Sequence, residues 1–262
     1  MKWTPEAEEA VKKIPFFVRK KVRSRIEKEA SEAGEKIISL ADVKATQARY
    51  LNKMSSEIKG YQVDTCFGSS GCPNPANSCD GLLKKIDNFL EKEDLLSFLK
   101  QRVSGDLKFH HEFRVTLAEC PNACSQPQIK DIGIIGAVTP MTTDEDCTRC
   151  DACTEVCIEK CISVDNADEM PEIDLDQCLK CSKCIDVCPT GTIAEKKRGF
   201  RVQLGGKLGR HPRLAKELDG IYSEQEVLEI VKRCVKFYKE NNKHGERFGE
   251  IYQNSDFLKG TP

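Results

Sequence analysis

Residues 66–72 read CFGSSGC, and residues 120–124 read CPNAC. A C-x5-C pair and a C-x3-C pair, about fifty residues apart, are neither the C-x-x-C of a redox dithiol nor the paired C-x2-C of a zinc site. What holds these four cysteines decides how the chain folds, and the rest of the sequence has to supply the answer.

The chain has 262 residues, enough for two or three small domains. Hydrophobic residues make up 39% and aromatics 6%, too little for an ordinary large apolar core, while cysteine reaches 15 residues. That count implies disulfides or metal. The first residues, MKWTPEAEEA, contain no apolar h-region, and the expectation is a chain without a signal peptide. No apolar run approaches the length of a membrane span. A reducing, cytoplasmic compartment then favours metal–thiolate bonding. The net charge of −1 conceals an asymmetry. Residues 1–60 carry 14 Lys/Arg against 9 Asp/Glu, whereas residues 141–190 carry 4 against 13. A solvated face accounts for each; the sharper reading makes the acidic segment a dock for a redox partner. Nucleic-acid binding is not expected, because RKKVRSR (19–25) lacks interleaved aromatics.

Residues 1–58 read as a helical module. Thr4 can cap a helix that has Pro5 at its first position, and Pro15 breaks it from a second helix carrying Phe17, Val18, Val22 and Ile26. Ser39 can cap a third. Residues 60–80 read as a loop, 79–103 as one amphipathic helix and 112–120 as a strand. DIGIIGAVTP (131–140) reads as a buried strand stopped by its proline, and RVQL (201–204) as another strand. SEQEVLEIVKRCVKFYKENN (223–242) reads as a helix with Ser223 and Glu226 forming a capping box.

Composition changes sharply over 141–197. Residues 147–157 read CTRCDACTEVC and 178–189 read CLKCSKCIDVCP. Each is C-x2-C-x2-C-x3-C, the bacterial two-cluster ferredoxin run, in which the fourth cysteine serves the other cluster. Cys147, Cys150, Cys153 and Cys188 are therefore expected to hold one [4Fe-4S] cluster, and Cys178, Cys181, Cys184 and Cys157 a second. A zinc site would leave the third cysteine of each run unused. The first run departs from the pattern at its end: Ile158 stands where proline is usual, and Cys161 follows, read as a small buried residue. Cys79 and Cys234 are read the same way.

The opening pairs are four of the seven remaining cysteines, and their thiolates suit a third cubane. CFGSSGC and AECPNACSQPQIKDIGIIG resemble the cluster-binding half of sirohaem sulfite and nitrite reductases. LGGKLGRHPRLAKEL (204–218) and FYKENNKHGERFGEIYQ (237–253) are similar to segments of the same half. The resemblance covers roughly residues 60–255. It implies an α+β fold: a reductase-like half domain over 59–140 and 198–262, with a two-cluster ferredoxin domain inserted at 141–197. It implies that Cys66, Cys72, Cys120 and Cys124 hold the cubane, with Cys124 also bridging to sirohaem iron. WTPEAEEAVKKIPFFVRKKVRSRIEKEA (3–30) resembles the small helical module of light-independent protochlorophyllide reductase.

What the resemblance implies for chemistry is a six-electron reduction of a small oxyanion. Electrons would come from a ferredoxin-like donor or a flavoprotein subunit. Fixed cations would neutralise substrate and haem carboxylates. Arg114, with His110 and His111 as proton donors, are the expected catalytic residues. Arg201, Lys207, Arg210, His211 and Arg213 are candidate anion ligands around a glycine-rich turn. Family members usually carry lysines where this chain has Glu112 and Arg114, and an acid there would repel an oxyanion. They also contain two related halves. Only one is visible here, so the expectation is a homo-oligomer or a subunit of a complex. The alternative is an iron–sulfur electron-transfer subunit without sulfite or nitrite chemistry.

Overall fold

The computed structural model describes residues 1–68, 71–164, 170–254 and 256–258, without the side chains of 50–56. The chain divides into two compact units, Met1–Ile58 and Lys59–Pro262. The centre of CFGSSGC, residues 69–70, lies outside the described residues.

The first unit contains β1 (Lys2–Trp3), α1 (Pro5–Lys12), α2 (Phe16–Glu32), β2 (Ile37–Ile38) and α3 (Leu40–Ser56). Thr4 Oγ1 accepts from the Ala7 N–H at 3.3 Å, and Pro5 occupies the first turn, where no N–H is needed. Pro15 separates α1 from α2. Ala7, Val11, Ile26, Ala30, Ile38 and Val43 form the core. Phe17, expected in that stripe, is exposed. Between α2 and α3, Glu29 accepts from Thr46 Oγ1 at 2.7 Å and Arg49 Nη2 at 2.6 Å. These bonds hold its pKa down at about 2.

The second unit begins with β3 (Tyr61–Thr65), α4 (Asp80–Lys92), α5 (Leu95–Arg102), β4 (Phe113–Ala118) and β5 (Ile132–Thr142). There follow α6 (Ala152–Val156), β6 (Ile162–Ser163), β7 (Glu172–Ile173), α7 (Lys183–Val187), β8 (Ile193–Leu204) and β9 (Lys216–Glu217). It closes with α8 (Glu224–Asn241) and α9 (Phe248–Ile251). The sheet order is β3-β4-β5-β8-β9, with β3, β4 and β5 parallel and the remaining pairs antiparallel. This is a mixed α/β architecture. Leu82, Ile86 and Leu90 of α4 and Val227, Val231 and Val235 of α8 join Val115, Leu117, Ile134 and Val202 of the sheet in one core. Ser223 and Glu226 close the expected capping box, with Ser223 N–H donating to Glu226 Oε2 at 2.7 Å.

Three expectations change. Residues 61–65 are a strand, not loop. The helix expected over 79–103 is two, because Asp94 adopts φ 44° and its carboxylate caps α5 through the Ser97 N–H. Pro140 does not stop β5, since a register shift between Thr139 and Pro140 absorbs the missing N–H. β5 and β8 therefore form a long hairpin carrying residues 143–192 between them. Among the described residues, no helix is long and apolar enough to cross a membrane.

Candidate functional site

The C-x5-C loop leaves the C-terminal end of β3, and the C-x3-C loop leaves the C-terminal end of β4. Because these strands are neighbours and parallel, both loops emerge side by side at the C-terminal ends of the strands, though some fifty residues separate them in sequence. The Cys66 N–H donates to the Leu117 carbonyl at 3.1 Å, and the Glu119 N–H donates to Cys66 Sγ at 3.4 Å. Burial pushes the Cys120 thiol up; the Asn122 backbone N–H opposes this, while the nearby thiols of Cys124, Cys72 and Cys66 add to it. Cys120 thus lies within electrostatic reach of the other three sulfurs. Cys124 is exposed, whereas Cys66, Cys72 and Cys120 are half-buried. Asn122 Nδ2 donates to Cys124 Sγ at 2.9 Å. Behind these loops, the buried Glu119 carboxylate accepts from the Cys79 N–H at 2.9 Å.

The segment between β5 and β8 repeats one backbone device. Arg149 and Asp151 flank Cys150 with φ 52° and 58°, and Lys180 and Ser182 flank Cys181 with φ 61° and 68°. Left-handed residues on both sides of a cysteine turn consecutive amides inward, forming an anion-binding concavity. Two of those amides reach sulfur, Arg149 N–H donating to Cys147 Sγ at 3.4 Å and Lys180 N–H to Cys178 Sγ at 3.3 Å, and at the start of β8 the Ile193 N–H donates to Cys188 Sγ at 3.4 Å. Cys147, Cys150, Cys153 and Cys188 line one cavity, walled by Pro171, Pro189 and Ile193. Burial pushes the Cys184 thiol up to about 12, with Cys178 and Cys181 adding to it. Cys157 Sγ lies 3.4 Å from Cys161 Sγ. Among the described residues, no group of three or more His, Cys, Asp or Glu closes around a single metal ion. Thiolates on a cubane each bind a different iron, and sets of four cysteines with backbone N–H donors at their sulfurs match the donor number and type that such a group takes.

The expected catalytic residues lie elsewhere. Arg114 is at the start of β4, paired with Gln62, and about 13 Å of strand separates it from Ala118, before the cysteines begin. Its Nη2 donates to the Phe109 carbonyl at 2.9 Å. His111 Nδ1 accepts from the Lys108 N–H at 3.0 Å. Burial lowers the pKa of His110, and Lys108, Arg247 and Arg114 lower it further. Glu112 is buried, accepts from the Lys59 N–H at 2.9 Å and has its pKa raised by burial. This bond ties the start of β4 to the segment that precedes β3.

Several of the candidate anion ligands are engaged within the chain. Arg201 pairs with Glu217 through two bonds of 2.6 and 2.7 Å, and Lys207 pairs with Glu250 at 3.1 Å. Arg213 donates to the carbonyls of Gly205, Gly249 and Tyr252. The glycine-rich turn is shaped by packing: Gly205 adopts φ +79°, and a Cβ there would meet the Tyr252 ring. Arg210 and His211 are exposed. Two residues were not foreseen. Asn122 sits inside C-P-N-A-C, where a side-chain amide beside a thiolate is a readable signal. Arg247 stands 3.6 Å from the fully buried Asp131, a pairing across the fold that no local pattern encodes.

The model of the Proto-chlorophyllide reductase 57 kD subunit matches residues 3–47. That of the Nitrite and sulphite reductase 4Fe-4S domain matches residues 62–257. The Coenzyme F420-dependent sulfite reductase of Methanocaldococcus jannaschii is 30% identical over 153 residues, covering 58% of this chain and 23% of that protein. One of the subunits of the anaerobic sulfite reductase of Salmonella typhimurium is 24% identical over 212 residues, covering 78% of this chain and 56% of its own. The crystal structure of dissimilatory sulfite reductase I aligns with TM-score 0.48 and 15% identity, over 76% of this chain and 54% of its own. The chain thus spans between about a quarter and about half of the lengths of the two sulfite reductase relatives. With three quarters of its residues matched by the one model, the chain belongs to the nitrite and sulphite reductase 4Fe-4S domain family.

Proposed function

We propose that this chain is the iron–sulfur part of a sulfite- or nitrite-type reductase, with three [4Fe-4S] clusters and a site for sirohaem. The observation that supports this reading is the parallel pairing of β3 and β4, from whose adjacent C-terminal ends the C-x5-C and C-x3-C loops leave. The residues 141–197 serve as a two-cluster ferredoxin domain, with Cys147, Cys150, Cys153 and Cys188 on one cluster and Cys178, Cys181, Cys184 and Cys157 on the other. Its acidic surface receives a redox partner.

The exposed Cys124 is the one thiolate of its set that faces outward, so it fits a ligand shared with a second group. Sirohaem, when bound, supplies the iron on which a small oxyanion loses its oxygens as water. The chain's own residues orient and tune that junction. Asn122 holds Cys124 Sγ by its side-chain N–H. The Glu119 N–H holds Cys66 Sγ, fixing the loop against β4. Arg210 and His211, exposed at the glycine-rich turn, are the side chains offered to haem carboxylates. Another protein of the complex or a second copy of this chain completes the pocket.

A second reading is favoured by the engagement of Arg201, Lys207 and Arg213 within the chain. In it the chain carries electrons for a larger complex and reduces neither sulfite nor nitrite. Anaerobic purification followed by absorption spectroscopy separates the two. The first gives a Soret band, a red-region band and about 13 iron atoms per chain; the second gives no macrocycle and about 12. Turnover of sulfite or nitrite with reduced viologen supports the first reading.

A further inference from the structure

The end of the first cysteine run is rebuilt. Where proline would follow the fourth cysteine, the chain places the highly exposed Ile158 and a turn in which the Lys160 N–H donates to the Cys157 carbonyl at 3.1 Å. Lys160 adopts φ 53°, and this left-handed step folds Cys161 back onto Cys157. Cys161 is 8% exposed. Its Sγ lies 3.4 Å from Cys157 Sγ, and its thiol also contacts Cys178. The Asp174 N–H donates to the Cys161 carbonyl at 2.8 Å, anchoring the position to the residue after β7. So Cys161 is not a stray buried thiol. It is a fifth sulfur held against two of the four assigned to one cluster.

Two thiolates on one tetrahedral metal, with metal–sulfur bonds of about 2.3 Å, stand roughly 3.8 Å apart. Ligands on different irons of a cubane stand further apart than that. At 3.4 Å the Cys157 and Cys161 sulfurs are closer than either arrangement, so only one of them can ligate the cluster at a time. We infer that Cys161 is an alternative fourth ligand to the cluster held by Cys178, Cys181 and Cys184, exchangeable with Cys157. The exchange moves one proton, from the Cys161 thiol to the released Cys157 thiolate, and no electron. One iron–sulfur bond breaks and one forms. The inference rests on the reading that residues 141–197 hold two clusters.

Iron and sulfide analysis with low-temperature EPR of the reduced full chain tests it. Wild type, Cys157→Ser, Cys161→Ser and the double variant are purified without air. Each single variant is expected to keep about 12 iron atoms, and the double variant about 8. Cys157→Ser is also expected to show an altered EPR signal from one cluster, reporting the new ligand. Loss of about four irons from Cys157→Ser alone, equal to the double variant, overturns the inference and leaves the two-cluster reading intact. Wild-type protein that carries no ferredoxin-type clusters overturns both. Should Cys157→Ser fail to accumulate, anaerobic alkylation of wild type read by peptide mass spectrometry decides. Label shared between Cys157 and Cys161 supports the exchange, and label on Cys161 alone overturns it.

Discussion

Thr65 stands opposite Leu117 in the parallel ladder of β3 and β4. Cys66 is one residue beyond the first and Cys120 three beyond the second, so a single backbone register brings two loops side by side. The Cys66 N–H accordingly reaches the Leu117 carbonyl, and the Glu119 N–H reaches Cys66 Sγ. Hydrogen bonds to sulfur stabilise the thiolate form and tune a cluster's potential.

Asn122 provides one such bond from a side chain that can be removed. Asn122→Ala should leave iron content unchanged and shift the midpoint potential of this cluster to more negative values. The expected size is on the order of 50 mV, or about 1 kcal/mol for one electron. An EPR-monitored redox titration measures it, and an unmoved midpoint counts against the bond.

Gly205 tests the packing of the glycine-rich turn. Its φ of +79° is strained for any side chain, and a Cβ would collide with Tyr252. Gly205→Ala should destabilise the second unit by about 2–4 kcal/mol. Thermal unfolding should shift down by roughly 5–10 °C. A turn built for anion contact alone would tolerate alanine with little change.

Ser223 caps α8, whose apolar face covers the sheet. Ser223→Ala leaves the Glu226 N–H without its acceptor and should cost about 1 kcal/mol. Circular dichroism melts should fall by about 2–4 °C. Ser223→Thr should retain most of the stability.

Glu112 gives a pH dependence whose sign is fixed by burial. Its folded-state pKa is raised, so the folded chain binds this proton more tightly than the unfolded chain. Holding it ionised therefore costs stability. That cost is absent below the ordinary glutamate value, grows as pH rises from there to the folded-state value, and is complete above it. Glu112→Gln keeps an oxygen for the Lys59 N–H. It should narrow the difference in melting temperature between pH 5 and pH 8; an unchanged difference would place the dependence elsewhere.

The helix caps at Thr4 and Ser223 and the two C-x2-C-x2-C-x3-C runs were legible because each is a pattern of adjacent residues. The adjacency of β3 and β4, from whose ends the C-x5-C and C-x3-C loops leave, was not, because parallel pairing joins segments that share no local signal. Resemblance alone linked the two loops. Asp94 looked like one more charged residue in a continuous helix, yet its carboxylate competes for the Ser97 N–H and starts a new one. Pro140 looked like a terminator, but a bulge in an antiparallel ladder absorbs its missing donor. Arg114 and Glu112 were read by position on a strand, and the strand's length then set them at the far end from the cysteines.

Iron, sulfide and EPR analysis of the anaerobically reduced full chain, comparing wild type with Cys72→Ser and Cys120→Ser, bears most directly on the loops that leave the ends of β3 and β4. Wild type should carry about 12 cluster irons, beyond any in haem, and each variant about 8, with the ferredoxin-type signals retained. A wild type with about 8, or variants that keep all of the roughly 12, would show that these four cysteines do not share a cubane.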